Sequence, residues 1–237
     1  MKPLYRNIFF FLLLGVSACQ NVFQEAIPVY EEAALKGEAE FAKGNFKEAI
    51  VEYNVALAAN PNYALAYCSR GLAYKNLGDQ TMAMSDYNKA IKLDPKMAEA
   101  ICNRAVLRGE MGDTLGQNQD FDIAVKLDPG NALIYNNIGT ALRKAGKYQK
   151  ALAAFNKAID LDQKQAKIYN NRGFTKRKMG NFEEAILDYN QAILLDPKFA
   201  AAYNNRAAAY KLSGDTMASK ADKLKAKELT RGLKPGV

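Results

Sequence analysis

ALIYNNIG at residues 132–139 returns as AKIYNNRG at 166–173, and GKYQKAL at 146–152 returns as GNFEEAI at 180–186. Both pairs are 34 residues apart. A period of that length in a chain rich in Ala, Leu and Lys marks a stack of helical hairpins, each burying its apolar face on the next, and not one closed globule.

Working outward, the same spacing runs through nearly the whole chain. Gly44, Gly78, Gly112, Gly146, Gly180 and Gly214 form an unbroken row at points where the chain must reverse between helices, which a positive φ makes possible. Ala56, Ala90, Ala124, Ala158, Ala192 and Ala226 form another, as expected where helices press together. Tyr53, Tyr87, Phe121, Phe155 and Tyr189 supply aromatic knobs. Pro61, Pro95, Pro129 and Pro197 stop the second helix of a unit, with Gln163 the one exception.

These rows resemble the tetratricopeptide repeat over about residues 30–229. The resemblance implies an all-α fold, a right-handed superhelical solenoid of about six hairpins. The repeats fall near 30–63, 64–97, 98–131, 132–165, 166–199 and 200–229, with 230–237 as a flexible tail. The third repeat is degenerate: Gln117 stands where others have Ala49 or Ala151, Arg108 stands in the row of Tyr74, and Gly116 lies inside the second helix. Local softness is expected there.

A further pair of rows separates structural charge from free charge. Arg70, Arg104, Arg172 and Arg206 are each followed sixteen residues later by an aspartate: Asp86, Asp120, Asp188 and Asp222. In the fourth repeat Ile138 replaces the arginine and Ala154 the aspartate, while the first offers Lys36 and Glu52. Matched variation among repeats of one chain points to an ion pair between the two helices of each hairpin.

The first helix of each repeat should line the concave side. Helical spacing puts Asn136, Thr140, Arg143 and Lys144 on one face, and Asn170, Phe174, Arg177 and Lys178 on the same face one repeat later. Asn204, Ala208 and Lys211 follow; earlier repeats offer Cys68, Leu72 and Lys75, then Cys102, Val106 and Gly109. The groove is therefore expected to be amide-rich and basic toward the C-terminus, and smaller and more apolar toward the N-terminus. Asparagines can pair with an extended peptide backbone, and Arg or Lys with carboxylates. This is similar to tetratricopeptide grooves that clamp acidic or C-terminal carboxylates, which implies protein partners bound through acidic or extended segments. The alternative is a plain solvated basic face. The neighbouring Asn103, Asn137, Asn171 and Asn205 match the repeat consensus and are assigned to structure.

Residues 1–18 read as an export signal: Lys2 and Arg6, then a short apolar run, then Val16, Ser17 and Ala18 ahead of Cys19. The run is too short to span a bilayer. The placement of Cys19 resembles the lipobox of bacterial lipoproteins, which implies acylation at Cys19, a lipidated tether over 19–29, and a membrane-anchored domain. Gln20 after the cysteine resembles the sorting signal of outer-membrane lipoproteins facing the periplasm. Relatives of this broad class include adaptors that gather envelope enzymes and pilotins that help assemble pilus secretins. Self-assembly through an N-terminal helix bearing Val22, Phe23, Ile27 and Val29 is a further possibility, giving a homo-oligomer.

Composition narrows function from the other side. The chain has no histidine, which removes His-based general bases and His-ligated metals. Cys68 and Cys102 occupy one row of adjacent repeats, but helices about 8–10 Å apart on axis hold Cα atoms beyond the reach of a disulfide, so both are expected to be free thiols. No metal, cofactor or catalytic motif stands out, and an enzyme is not expected. The net charge of +8 suggests acidic partners or an anionic membrane. Nucleic acid is not an expected ligand, since no row of exposed aromatics is offered for stacking.

Overall fold

Six turns of the chain are made the same way. Gly44, Gly78, Gly112, Gly146, Gly180 and Gly214 all have positive φ, between 71° and 95°, and no other residue type does so among the described residues. At each of them a helix ends and the chain folds straight back into a second one.

The computed structural model describes residues 27–231. The signal segment 1–18, Cys19 and most of the tether lie outside them, as do residues 232–237. Twelve helices form six consecutive hairpins: α1 (Val29–Ala42) with α2 (Phe46–Ala59), α3 (Ala64–Asn76) with α4 (Gln80–Leu93), α5 (Ala98–Glu110) with α6 (Thr114–Leu127), α7 (Ala132–Lys144) with α8 (Tyr148–Leu161), α9 (Ala166–Lys178) with α10 (Phe182–Leu195), and α11 (Ala200–Ser213) with α12 (Thr216–Thr230). Each first helix also touches the first helix of the next hairpin, whereas second helices do not touch one another. The first helices therefore line the inner curve. No helix among the described residues is long and apolar enough to cross a membrane.

Polar side chains set the helix ends. Asp79, Asp113 and Asp215 cap α4, α6 and α12 by accepting from the N–H groups of Met82, Gly116 and Ala218. Between hairpins, Asp94 and Asp196 accept the N–H two residues on. Asp162 does the same at 2.9 Å and also accepts from Gln165 Nε2 at 2.8 Å, so the turn forms at Gln163 without a proline.

Small residues in the first helix let an aromatic ring from the second lie flat against the backbone. Tyr53, Tyr87, Phe155 and Tyr189 are fully buried, as are Ala56, Ala90, Ala124, Ala158 and Ala192. A Cβ added at Gly139 would stand 2.7 Å from the Phe155 ring, closer than packed atoms come.

The degenerate third repeat is internally compensated. Gln117, too large for its alanine row, extends over Gly109, where a Cβ would lie 1.9 Å from Gln117 Nε2. Arg108 donates to the Gly116 carbonyl and pairs with Asp120 at 2.9 Å, and a Cβ on Gly116 would strike Asp113. Helix α6 is continuous through Gly116. The thinnest packing between consecutive helices lies just beyond it, at α6 against α7.

Candidate peptide-binding groove

Two hydrogen-bond systems hold the inner helices in register, and together they decide which polar groups remain available. In the first, Arg70, Arg104, Arg172 and Arg206 each fork onto Asp86, Asp120, Asp188 and Asp222, through Nε and Nη2, at 2.6–2.9 Å. The aspartates are almost wholly buried. The remaining Nη1 donates to Asn54, Asn88, Asn156 and Asn190 of the preceding hairpin. Each arginine thus ties three helices. Sequence reasoning missed the asparagines, although they stand sixteen residues before each arginine, and Asp122 replaces Asn where Ile138 replaces Arg. The first repeat departs from the pattern: Lys36 pairs with Glu32 one turn away at 2.9 Å, and Glu52 acts on it only as a more distant charge.

The second system is a ladder across repeats. Asn171 Nδ2 donates to Asn136 Oδ1, and Asn205 Nδ2 to Asn170 Oδ1, both at 2.9 Å. Asn103 and Asn137 make the same reach to the sulfurs of Cys68 and Cys102, at 3.7 and 3.3 Å. Asn136 and Asn170, assigned from spacing to the ligand, are accordingly only 5% and 8% exposed and serve as rungs, because the next repeat covers that row. Asn204, in the last hairpin of the described residues, is exposed. Cys68 and Cys102 are free and buried, and burial pushes their thiols up to about 12 and about 11, so both stay protonated and unreactive.

What remains accessible is unevenly charged. Toward the N-terminus a cavity of about 530 Å³ is lined by Phe41, Leu72, Val106 and Leu133, with Lys75 and Glu99 at its edge. Glu38 and Glu99 are reached by water yet enclosed by the inner curve, which raises both carboxyls; Glu38 raises Glu99 further. At mid-groove Glu110 bridges Lys75 at 3.3 Å and Lys144 at 3.9 Å. These carboxylates were not singled out from sequence, since none repeats at the 34-residue period. Lys75 and Lys144 are therefore partly neutralised.

Toward the C-terminus the cations are unopposed. Arg143 and Arg177 each place a guanidinium carbon 4.7 Å from the centre of the Phe174 ring, and Lys178 brings its ammonium to 5.7 Å. Among the described residues no carboxylate comes within ion-pair reach of Arg143, Arg177, Lys178 or Lys211. Thr140 and Lys144 line a second cavity, of about 290 Å³, opening between the third and fourth hairpins. Burial lowers the pKa of Arg143, and burial also pushes the Tyr189 phenol up to about 12, against the pull of Arg177 and Arg143 beside it.

Sequence models of the tetratricopeptide repeat match residues 64–97 and 121–153, and a model described as TPR repeat matches 37–78, 139–180 and 175–214. The chain belongs to the tetratricopeptide repeat family. Its fold is typically a non-catalytic scaffold for binding other proteins or peptides. No curated protein matches this tetratricopeptide protein closely enough to count as a relative. Among solved structures it is similar to the APC/C hetero-tetramer Cut9–Hcn1 (TM-score 0.75, 18% identity), covering 86% of this chain and 40% of that one. It is also similar to a thermophilic tetratricopeptide protein of Thermus thermophilus (TM-score 0.72, 19% identity, 77% of this chain and 99% of that one). A third is PilW, a type IV pilus biogenesis factor (TM-score 0.69, 18% identity, 88% and 95%). At such identities the likeness is one of fold.

Proposed function

We propose that this protein is a non-catalytic adaptor of the bacterial cell envelope, tethered through acylated Cys19, that holds an extended acidic segment of a partner protein in the C-terminal half of its groove. The observation that carries this reading is the unopposed charge of Arg143, Arg177, Lys178 and Lys211 on the inner curve, where the other arginines on helices of the described residues are all neutralised. Recognition then runs through Thr140, Phe174 and these cations, with Asn204 as the one accessible amide of its row.

Photo-crosslinking in cells tests it. A photoreactive residue at Thr140 or Lys178 should capture a discrete protein partner, whereas one at Leu187, 66% exposed on α10, should not. Adducts from Leu187 alone would move the interaction to the outer surface. The tether is tested separately by Cys19→Ser, which should shift the protein from the membrane to the soluble fraction.

Two narrower readings have support of their own. The near end-to-end overlay with PilW favours a pilotin-type assembly factor, which secretin assembly in a deletion strain would test. Ile27 and Val29, 53% and 67% exposed at the start of α1, favour self-assembly through the N-terminal segment, and sedimentation that depends on concentration is its signature.

A further inference from the structure

Helix α12 packs only on α11 among the described elements, so most of its circumference is open. Ser219, Asp222 and Ala226 form its buried face. On the far side Met217, Ala221 and Leu224 follow one another at i, i+4 and i+7, a line along the crest of the helix. Met217 is 82% exposed and Leu224 61%. Leu224 is out of keeping with its row. In the five hairpins before it that row holds Asn54, Asn88, Asp122, Asn156 and Asn190, and all but Asp122 accept a guanidinium nitrogen from the following hairpin. A leucine in that place leaves an apolar side chain in water.

The charge beside this crest is of one sign. Lys220 and Lys227 flank it on one side and Lys225 on the other, with Arg231 at its end. Both carboxylates of α12 are engaged, Asp222 by Arg206 at 2.7 Å and Glu228 by Lys225 at 3.3 Å. Lys220, Lys223, Lys227 and Arg231 have no acid within ion-pair reach among the described residues. Solvation alone would be served equally by acids, and the neighbouring outer helix α10 is acidic, with Glu183, Glu184 and Asp188 and no Lys or Arg.

An apolar crest flanked by lysines suits a helix lying in the plane of an anionic bilayer. The apolar side chains enter the headgroup boundary, and the lysine stems run outward to the phosphates. A folded protein partner fits less well. Met217 and Leu224 stand about 10 Å apart along a convex ridge. To bury them, such a partner must also order four long, unpaired cationic side chains, whereas fluid headgroups adapt to them. We infer that the outer face of α12 is a docking surface for anionic phospholipid, with Met217 and Leu224 inserted and Lys220, Lys223, Lys227 and Arg231 meeting the phosphates. The face is at the far end of the stack from α1. It therefore needs no acyl chain at Cys19, and gives a tethered protein a second point of attachment.

The test uses the full-length protein carrying Cys19→Ser, which cannot be acylated. Cys68 and Cys102 are buried, so Leu224→Cys offers a single reactive thiol for a polarity-sensitive fluorophore, and Leu115→Cys on α6 offers a control at another exposed leucine. The vesicles are phosphatidylcholine alone or its equal mixture with phosphatidylglycerol. The fluorophore at position 224 should shift to the blue on the mixed vesicles and not on phosphatidylcholine, and at position 115 it should shift on neither. Lys220→Gln with Lys227→Gln should weaken binding to mixed vesicles about 25-fold, from about fivefold per cation, while leaving helical content unchanged. Silence at position 224 on mixed vesicles, or equal binding by the double variant, overturns the inference, as does a shift at position 115 as large as at 224. An equal shift on phosphatidylcholine means apolar adsorption without charge recognition, and the anionic assignment is then wrong. A shift that grows with protein concentration in the absence of vesicles makes the face an interface between copies of the chain instead.

Discussion

The arginine forks differ in how much support their aspartates have. Asp86 depends on Arg70 alone for neutralisation, whereas Asp188 also has Lys176 Nζ at 3.1 Å. Removing one partner of a buried pair strands the other charge, at a cost of about 3–5 kcal/mol. Arg70→Ala should therefore lose that order of stability in urea unfolding at pH 7, and Arg172→Ala clearly less, because Lys176 still faces the carboxylate. Equal losses would show that the lysine contributes nothing. Glu99 works in the opposite direction. Its carboxyl is raised above the ordinary 4.5 by the enclosing inner curve and by Glu38, so the folded state binds its proton more tightly than the unfolded chain does. The stability linked to that proton is complete below pH 4.5 and disappears as pH rises through the folded value. Glu99→Gln should accordingly melt slightly above the native protein at pH 7, by a small margin because water reaches the carboxylate, with the gap closing in acid. A native protein that melts higher at pH 7 would contradict this.

Among the elements, the inner helices are joined by rungs of unequal strength. Amide-to-amide rungs at Asn171 and Asn205 are 2.9 Å long, while the rungs at Asn103 and Asn137 end on sulfur, a weak acceptor. Asn171→Ala leaves the buried Asn136 carbonyl without its donor and should cost about 1–3 kcal/mol. Asn103→Ala should cost less, and Asn204→Ala, at an exposed position, should be nearly neutral. Thermal unfolding of the three variants gives the order directly; an Asn204 effect as large as that of Asn171 would mean that the ladder is not the source of the stability.

At the scale of the molecule, a solenoid is stabilised by nearest-neighbour interfaces, so its weakest interface determines where it opens first. That interface lies between the third and fourth hairpins, where α6 packs thinly on α7, the 290 Å³ cavity opens, and Glu110 at the end of α5 reaches Lys144 only at 3.9 Å. Native-state hydrogen exchange should resolve two cooperative blocks, α1–α6 and α7–α12, separated at residues 128–131. Uniform exchange across that junction would show one cooperative unit. Arg143, Phe174 and Arg177 all belong to the second block, so ligand at that cluster should protect α7–α12 before it protects the first three hairpins.

The chain serves as its own alignment, and this is why so much of the fold is legible in the sequence. Six glycines at one spacing gave the turns, and the paired loss of Arg and Asp at Ile138 and Ala154 gave the intrahairpin ion pairs, since contacts inside one repeat recur along the stack. The groove was only half legible. Asn136 and Asn137 are consecutive residues about 100° apart on a helix, and periodicity assigned the first to the ligand while the repeat consensus assigned the second to structure; the structure uses both in the ladder, because the following repeat covers Asn136 and Asn137 reaches back to Cys102. Glu38, Glu99 and Glu110 carry no period, and their enclosure comes from the curvature of the whole stack. The meeting of Arg143 and Arg177 on Phe174 was likewise decided by tertiary structure alone. Repetition in sequence specifies what each hairpin does with itself, whereas what one hairpin presents to the next depends on the rise and turn between them, which no single repeat encodes.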